Sequence, residues 1–197
     1  MSAWRSPTTK FILIFLLFAA LLFFSGCDYL LPKDDYQPSG QQFTLKPDIE
    51  LKGIKSSDTL FHSAGAFTLE LWIKLKSGSV PKYDTLPPGL FFLSQNEAKK
   101  DMIIVQNLPI AAGSEEKVHP LPVFGVQRRR EIPSATEYRL GPLTDDLDIK
   151  RMVEILKKKR IEGRNVSLVQ SAIYRITDGE ELTQGLLDTL NSLPDEY

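Results

Sequence analysis

The sequence predicts an α+β protein, in which an N-terminal antiparallel β-sandwich precedes a C-terminal cluster of about three short helices. From Phe43 to Pro142, apolar residues alternate with polar residues or form short apolar runs, and loops that contain Pro and Gly separate them. Beyond Pro142 the apolar residues recur at every third or fourth position, which is typical of amphipathic helices. A block of strands followed by a block of helices indicates the α+β class.

The chain begins with a hydrophobic leader. Arg5 and Lys10 precede the uninterrupted apolar run Phe11–Phe24, and the small residues Ser25 and Gly26 follow it. This run is too short for an ordinary membrane helix, which needs about 20 apolar residues to cross the hydrocarbon layer. A basic start, a short apolar run and small residues before a cleavage point are typical of a secretory signal.

The residues Phe24-Ser25-Gly26-Cys27 resemble the lipobox of bacterial lipoproteins, and Cys27 is the only cysteine in the chain. In that family a diacylglycerol is joined to the cysteine thiol, the leader is cut just before it, and the new amino terminus is acylated, for example with palmitate. Ser25 and Gly26 are usual lipobox residues, whereas Phe24 stands where the family usually has Leu. The resemblance implies that residues 1–26 are a signal peptide and that Cys27 is lipidated, which attaches the domain to the extracytoplasmic side of the cell membrane.

Two other interpretations of the leader stay open. It could be an uncleaved signal anchor, or a cleaved secretory signal that leaves a spare thiol at Cys27. Asp28 follows the cysteine, and in enteric-type bacteria the resemblance implies that Asp at this position favours the inner membrane. Other lineages do not follow that rule, so the sequence leaves the choice between inner and outer membrane open.

Composition excludes some function classes. The net charge of the chain is −1, and the leader holds two of its 24 basic residues and none of its 25 acids. The remainder is therefore mildly acidic and lacks the positive field of a nucleic-acid-binding protein. Since Cys27 is the only cysteine, no intramolecular disulfide can form, and the domain must depend on its hydrophobic core.

The residues after the leader divide into three regions. Residues 27–42 are rich in Pro, amide and charged side chains, and we expect a tether there. Residues 43–142 are the expected β-sandwich region, and Phe67–Lys76 is its clearest strand because five apolar residues share one face, with Trp72 on the polar face. Further strands are expected at Phe43–Lys46, Ile49–Ile54, Gly89–Leu93, Met102–Ile110 and Leu121–Val126, with loops at Ser77–Pro88 and Ala111–Pro120.

Residues 143–197 are the expected helical region, packed on the sandwich. Thr144 or Asp145 can cap a helix that runs to about Arg160, with apolar residues at helical spacing. A second helix is expected over about Val166–Ile176, ended by Asp178-Gly179. Asp178 with Glu181 resembles a capping box and predicts a third helix that directs Leu182, Leu186, Leu190 and Leu193 inward.

Two segments of the domain resemble known families. Phe67–Ile73 looks like a strand of laminin-G or concanavalin-type sandwiches, although no calcium-ligand set accompanies it. Val169–Tyr174, followed by Thr177-Asp178-Gly179, looks like the Gln-containing helix of thioester-type bacterial surface domains. Those domains join a Gln to a Cys, and Cys27 is needed for the anchor, so the resemblance implies a shape and no internal thioester.

Three consecutive arginines and one tryptophan are candidate contact residues. Arg128, Arg129 and Arg130 could bind an anionic lipid head group or an acidic partner, or could be a charged turn that blunts a strand edge. Trp72 could be a platform for a sugar or a partner, or could be covered by another element such as the C-terminal helices.

The sequence contains no recognisable catalytic or metal motif. His62 and His119 are far apart in sequence, and neither has Cys, Asp or Glu at metal-ligand spacing, so we expect solvated loop histidines. No Gly-x-Ser-x-Gly, His-Glu-x-x-His, P-loop or Gly-x-Gly-x-x-Gly motif occurs, and we expect no cofactor. A pair of carboxylates for glycoside hydrolysis leaves no sequence signature and stays open.

These observations predict a lipid-anchored lipoprotein of the cell envelope that acts as a non-catalytic binding or structural module. Its partners would be the membrane, through the lipid on Cys27, and an envelope protein or glycan. Two alternatives stay open. The domain could be a glycan hydrolase that uses a pair of acids, or an assembly factor for an envelope complex that uses Arg128–Arg130 or Trp72 as its contact.

Overall fold

The computed structural model describes residues 36–57 and 65–196. The expected signal peptide, Cys27, the first part of the tether and His62 lie outside the described residues. The strands are β1 (Gly40–Gln42), β2 (Ile49–Ser56), β3 (Phe67–Leu75), β4 (Lys82–Leu86), β5 (Leu90–Ser94), β6 (Met102–Ile103), β7 (Leu108–Ala112), β8 (Lys117–Gly125) and β9 (Glu137–Thr144). The helices are α1 (Leu147–Leu156), α2 (Arg164–Thr177) and α3 (Gln184–Asn191).

The main sheet closes on itself. Its seven antiparallel strands lie in the order β1-β9-β2-β3-β8-β6-β5, and β9 also pairs with β5. This second pairing joins the two sides of the sheet, with Leu90 opposite Leu143 and Ser94 opposite Tyr138. Strands β9, β2, β3, β8, β6 and β5 therefore form a closed barrel, and β1 is an extra strand on β9.

The predicted two-sheet sandwich is wrong. Alternating apolar residues show that one face of a strand is buried, but that face can line a barrel as well as the gap between two sheets. The strand that closes the barrel, β9, has no counterpart among the expected strands. Its sequence EYRLGPLT contains Gly and Pro, which are depleted in strands, so its pattern is weak.

Several strand boundaries differ from the expected ones. Phe43–Lys46 is not a strand, although Phe43 packs against the interior of the barrel. Met102–Ile110 divides into β6 and β7, and the expected loop Ser77–Pro88 contains β4. Strands β4 and β7 pair as a separate small sheet, and Leu86 and Ile110 join the barrel-interior residues. The first half of β8 lies in the expected loop Ala111–Pro120.

The barrel interior is filled by apolar side chains. Leu69, Leu71 and Ile73 of β3 are fully buried there, which confirms the alternation of this strand. Phe92, Met102 and Val123 from β5, β6 and β8 face the same interior, and they are also inaccessible to solvent. Close-packed side chains of this size fill the interior of a small barrel.

The helices cover the outside of three of these strands. Phe91, Ile103 and Phe124 alternate with the inward residues and join a second cluster, which contains the apolar faces of α1, α2 and α3. Strands β5 and β6 and the second half of β8 are thus largely buried on both faces, which explains the continuous apolar run at Gly89–Leu93. The helix α2 is tied to β8 because the amide of Gln170 donates to the Gly125 carbonyl at 2.8 Å and accepts from the Gly125 amide at 2.9 Å.

The three expected helices form, with corrected ends. Asp146 caps α1, rather than Thr144 or Asp145, by accepting from the backbone amides of Asp148 and Ile149. Asp178 ends α2, and α3 begins after its cap Thr183 and not at Asp178. Among the residues expected to point inward, Leu182, Leu190 and Leu193 are buried and Leu186 is partly buried. No helix of the described segments is both long and apolar enough to cross a membrane.

Replacing Gly141 with Ala will weaken the closure of the barrel. A Cβ atom at Gly141 of β9 would lie 2.9 Å from the Phe91 carbonyl oxygen and 3.0 Å from Cγ of Leu93, both in β5. Because a backbone atom cannot move aside cheaply, we expect G141A to lower the free energy of unfolding by about 1–3 kcal/mol. Urea unfolding followed by circular dichroism measures this change.

The matched control is G53A in β2, where an added Cβ would meet nothing within 4 Å. We expect G53A to leave the unfolding midpoint unchanged or to raise it slightly, since Ala restricts the unfolded chain more than Gly does. Equal midpoints for G141A and G53A would contradict the close approach of β9 to β5.

Candidate functional site

A polar cleft with a volume of about 520 Å³ opens beside strands β5 and β9. The segment that precedes β1, including Pro38, forms one of its walls. Its polar lining comes from Gln37, Ser94, Glu97, Asp101, Arg130 and Arg139. A volume of this size is typical of small-molecule sites, although most of those are more apolar.

The floor of the cleft is the carboxylate of Asp101, which is only 6% exposed. One carboxylate oxygen accepts from the backbone amide of Ser94 at 2.8 Å, and the other accepts from Nε2 of Gln127 at 2.6 Å. Nη1 of Arg130 lies 3.6 Å from the second oxygen. A buried carboxylate needs such partners because its charge is costly in a medium of low polarity.

The side chain of Gln127 connects the floor to the wall. Its carbonyl oxygen accepts from the Asp101 backbone amide at 2.8 Å, and its Nε2 also donates to the Tyr36 carbonyl at 3.2 Å. The ring of Tyr36 lies 6.2 Å from that of Phe91 in β5. The segment that precedes β1 is therefore held against the barrel at Tyr36.

Two buried groups support the floor from behind. The ammonium of Lys100 donates to the carbonyls of Gln127 and Arg128 at 2.5 and 2.8 Å, and it lies 5.3 Å from the centre of the Tyr174 ring. The Tyr138 hydroxyl donates to the Lys100 carbonyl at 3.2 Å. Burial raises the pKa of the Tyr138 phenol above its usual value, and the charge of Asp101 raises it further.

The structure separates the three consecutive arginines. Only Arg130 lines the cleft, with its side chain 17% exposed. Arg128 lies over the Tyr174 ring at 5.5 Å, and its Nε is 3.1 Å from a carboxylate oxygen of Asp178. Arg129 is exposed to solvent. The three arginines therefore do not form a single charged patch, because their side chains have different surroundings.

Trp72 lies far from this arrangement in the sheet order, on β3 between Gly53 of β2 and Val118 of β8. It is half-buried, and the apolar cluster that contains the helices does not include it. Its indole Nε1 is buried and has no hydrogen-bond partner among the described residues. Val118 is 43% exposed beside it.

His119 is partly buried, and its Nε2 lies 3.0 Å from the Ala111 carbonyl oxygen. In residues 36–57 and 65–196, no group of three His, Cys, Asp or Glu side chains is arranged to hold a metal ion. The cleft offers a different chemistry, because it places two guanidinium groups, of Arg130 and Arg139, near two carboxylates, of Asp101 and Glu97. Such a set suits the binding of a charged polar molecule.

Sequence reasoning found Arg130 but missed the residues around it. Arg139 lies on the unexpected strand β9, and Asp101 and Gln127 lie in connecting segments without a periodic pattern. Nothing in their spacing indicates that they meet, since Asp101 and Gln127 are brought together only when β6 and β8 pair. The one available signal was the density of charged residues at Lys99–Asp101.

Comparisons with models of protein families, with curated proteins and with solved structures found no match.

Ionisation of Tyr138 will make the stability of the fold depend on alkaline pH. The phenol of an unfolded tyrosine ionises near pH 10, whereas the folded phenol keeps its proton to a higher pH because its pKa is raised. Above pH 10 the unfolded state binds fewer protons than the folded state, so the free energy of unfolding falls as the pH rises. The full contribution is present below pH 10 and is lost progressively above it.

We expect the wild type to lose stability more steeply than Y138F between pH 10 and 11, by up to about 1.4 kcal/mol per pH unit for one group. Urea unfolding of both proteins at pH 8, 10 and 11 measures this difference in slope. Y138F loses the hydrogen bond to the Lys100 carbonyl and will be less stable at every pH, so the slopes and not the absolute values are compared. Parallel slopes would contradict the burial of this phenol.

Proposed function

We propose that this chain is a lipid-anchored lipoprotein of the cell envelope and that its domain is a non-catalytic binding module. The observation that carries the proposal is the position of Cys27, the only cysteine, directly after a short apolar run and two small residues. Two or three acyl chains make such an attachment stable, because each buried methylene contributes about 0.8 kcal/mol. The domain would lie on the extracytoplasmic side, close to the membrane.

The short distance between the cysteine and the first described contacts supports a role near the membrane. Tyr36 is nine residues after Cys27, and nine residues span at most about 30 Å when fully extended. Tyr36 is held by Gln127 and packs on Phe91. A lipid on Cys27 would thus keep the domain within about one domain diameter of the bilayer surface.

The lining of the cleft favours binding over hydrolysis. A hydrolase that uses a pair of acids needs one carboxyl group to exchange a proton or to attack the substrate. Both oxygens of Asp101 already accept hydrogen bonds from Ser94 and Gln127, and Arg130 lies beside one of them. This carboxylate is held as a structural acceptor, and Glu97 is the other acid among the described residues that line the cleft.

Replacing Cys27 with Ala will abolish lipidation. We expect C27A, produced in a bacterial host, to incorporate no labelled fatty acid, because the thiol of Cys27 is the group that accepts the lipid. The control S25A keeps a small residue in the lipobox and should be labelled like the wild type. Labelling of C27A equal to that of the wild type would show that the anchor assignment is wrong.

The purified full chain should not turn over envelope glycans, peptides or esters. Incubation with each substrate class, followed by chromatography of the products, measures this. Activity that is present in the wild type and lost in E97Q would overturn the non-catalytic part of the proposal, because Glu97 is the exposed carboxylate of the cleft. Activity that E97Q retains would also overturn it, and would place the reaction elsewhere in the chain.

A further inference from the structure

We propose that the outer face of the barrel at Trp72 binds a chain of neutral pyranose sugars, with one sugar ring stacked on the indole. The choice of a sugar rests on the surface itself. That the sugar chain is a glycan of the cell envelope rests on the proposed function.

Trp72 presents an apolar surface on the outside of the barrel. It alternates in β3 with Leu71 and Ile73, which are fully buried in the barrel interior, so its own side chain points outward. The apolar cluster that contains the three described helices does not include Trp72, which is half-buried. Because its Nε1 atom is buried, the part of the indole that solvent reaches consists of carbon atoms.

Trp72 is the centre of an apolar row that crosses three strands. Gly53 of β2 and Val118 of β8 pair with it in register, and residues directly opposite on neighbouring strands point to the same face. Val118 is 43% exposed. A Cβ atom at Gly53 would meet nothing within 4 Å, so the surface is open on that side of the row. The row is therefore a narrow apolar strip that a ligand can reach.

A row of charged residues lies on each side of the apolar row. Glu50 of β2 pairs in register with Lys74 of β3 on one side, and Lys55 of β2 pairs with Glu70 of β3 on the other. Glu70 and Lys74 are each two residues from Trp72, about 7 Å along the strand. A pyranose has C–H groups on its faces and hydroxyl groups at its rim, so it matches an apolar centre with hydrogen-bonding groups at its edges.

The charges beside the apolar row favour a neutral ligand. The two oxygens of the Glu50 carboxylate lie 3.1 Å from Nζ of Lys52 and 3.6 Å from Nζ of Lys74. Nζ of Lys55 lies 3.6 Å from a carboxylate oxygen of Glu137 in β9. Since each of these ammonium groups has a carboxylate nearby, the surface has no strong field of one sign that would select an ion. Exposed ion pairs of this kind are weak, so sugar hydroxyl groups can share their donors and acceptors.

The width of the apolar strip favours a sugar over a protein partner. A stable protein interface buries about 800 Å² on each partner, around an apolar core. Here the charged rows begin with the next outward residues of β3 on both sides of Trp72. The apolar part is thus about as wide as one sugar ring, and a sugar chain can follow it from Gly53 towards Val118.

Fluorescence titration of the full chain in an uncharged detergent tests the proposal. The chain has two tryptophans, Trp4 and Trp72, so the tryptophan emission of the W4F variant comes from Trp72 alone. The probe is hexa-N-acetylchitohexaose, a neutral and soluble β-linked oligosaccharide. We expect the emission of W4F to change as the sugar is added and to reach saturation, because the sugar replaces water at the indole.

Calorimetric titration with the same sugar compares three variants of the wild-type chain. W72L keeps an apolar side chain but removes the ring, and G53V places a branched side chain beside the indole. We expect each to bind the sugar about tenfold more weakly, since the stacking contact is lost or obstructed. The matched control is Y83L, which changes an aromatic residue that is 69% exposed on β4 and should bind like the wild type. Urea unfolding checks that each variant is folded.

Three outcomes would overturn the proposal. These are failure of the wild type to bind the sugar, equal losses in W72L and Y83L, and full binding by folded G53V. If W72L does not fold, the comparison of G53V with Y83L decides, because an added Cβ at Gly53 meets no neighbour. Since the probe is soluble, its binding does not require an anchor. A failure of lipidation at Cys27 would therefore contradict the proposed function without contradicting the sugar site.

Discussion

The pairing of β9 with β5 is the contact on which the rest of the described structure depends. It converts a curved sheet into a closed barrel and removes two exposed strand edges. Gly141 permits the approach, since a side chain there would collide with the backbone of β5. The same pairing aligns Arg139 with Leu93, so that the strand contact that completes the core also assembles one side of the cleft.

The layer of helices depends on the closed barrel. Once the barrel is closed, the outward residues of β5, β6 and β8 form an apolar surface, and the three helices cover it. Where this layer meets the start of the described chain, the buried side chains of Lys100, Asp101 and Gln127 connect the segments through hydrogen bonds. A buried polar network whose members are hydrogen-bonded to one another is rigid. This network therefore holds the Asp101 carboxylate in a fixed position beside Arg130.

Sequence reasoning succeeded for features that depend on residues close together in the chain, and it failed for features that depend on contacts between distant segments. Strand β3 and helix α2 were predicted because their apolar periodicity is local. Strand β9 was missed because Gly and Pro interrupt it, and β4 was missed because it is short and Pro residues flank it. Partner strands stabilise both. Of the cleft residues, only Arg130 was expected, since a run of arginines is visible in a sequence while the meeting of Asp101 with Gln127 is not.

The sequence by itself showed a short apolar run followed by the single cysteine, the succession of a β-rich and a helical region, and the alternation that marks one buried strand face. These features depend on residues close together in the chain. Only the tertiary structure decided that the strands close into a barrel, that Arg128, Arg129 and Arg130 face three different surroundings, and that Arg130 shares a cleft with Arg139. The physical reason is that alternation specifies which face of a strand is buried, while the identity of its neighbours depends on contacts between distant segments.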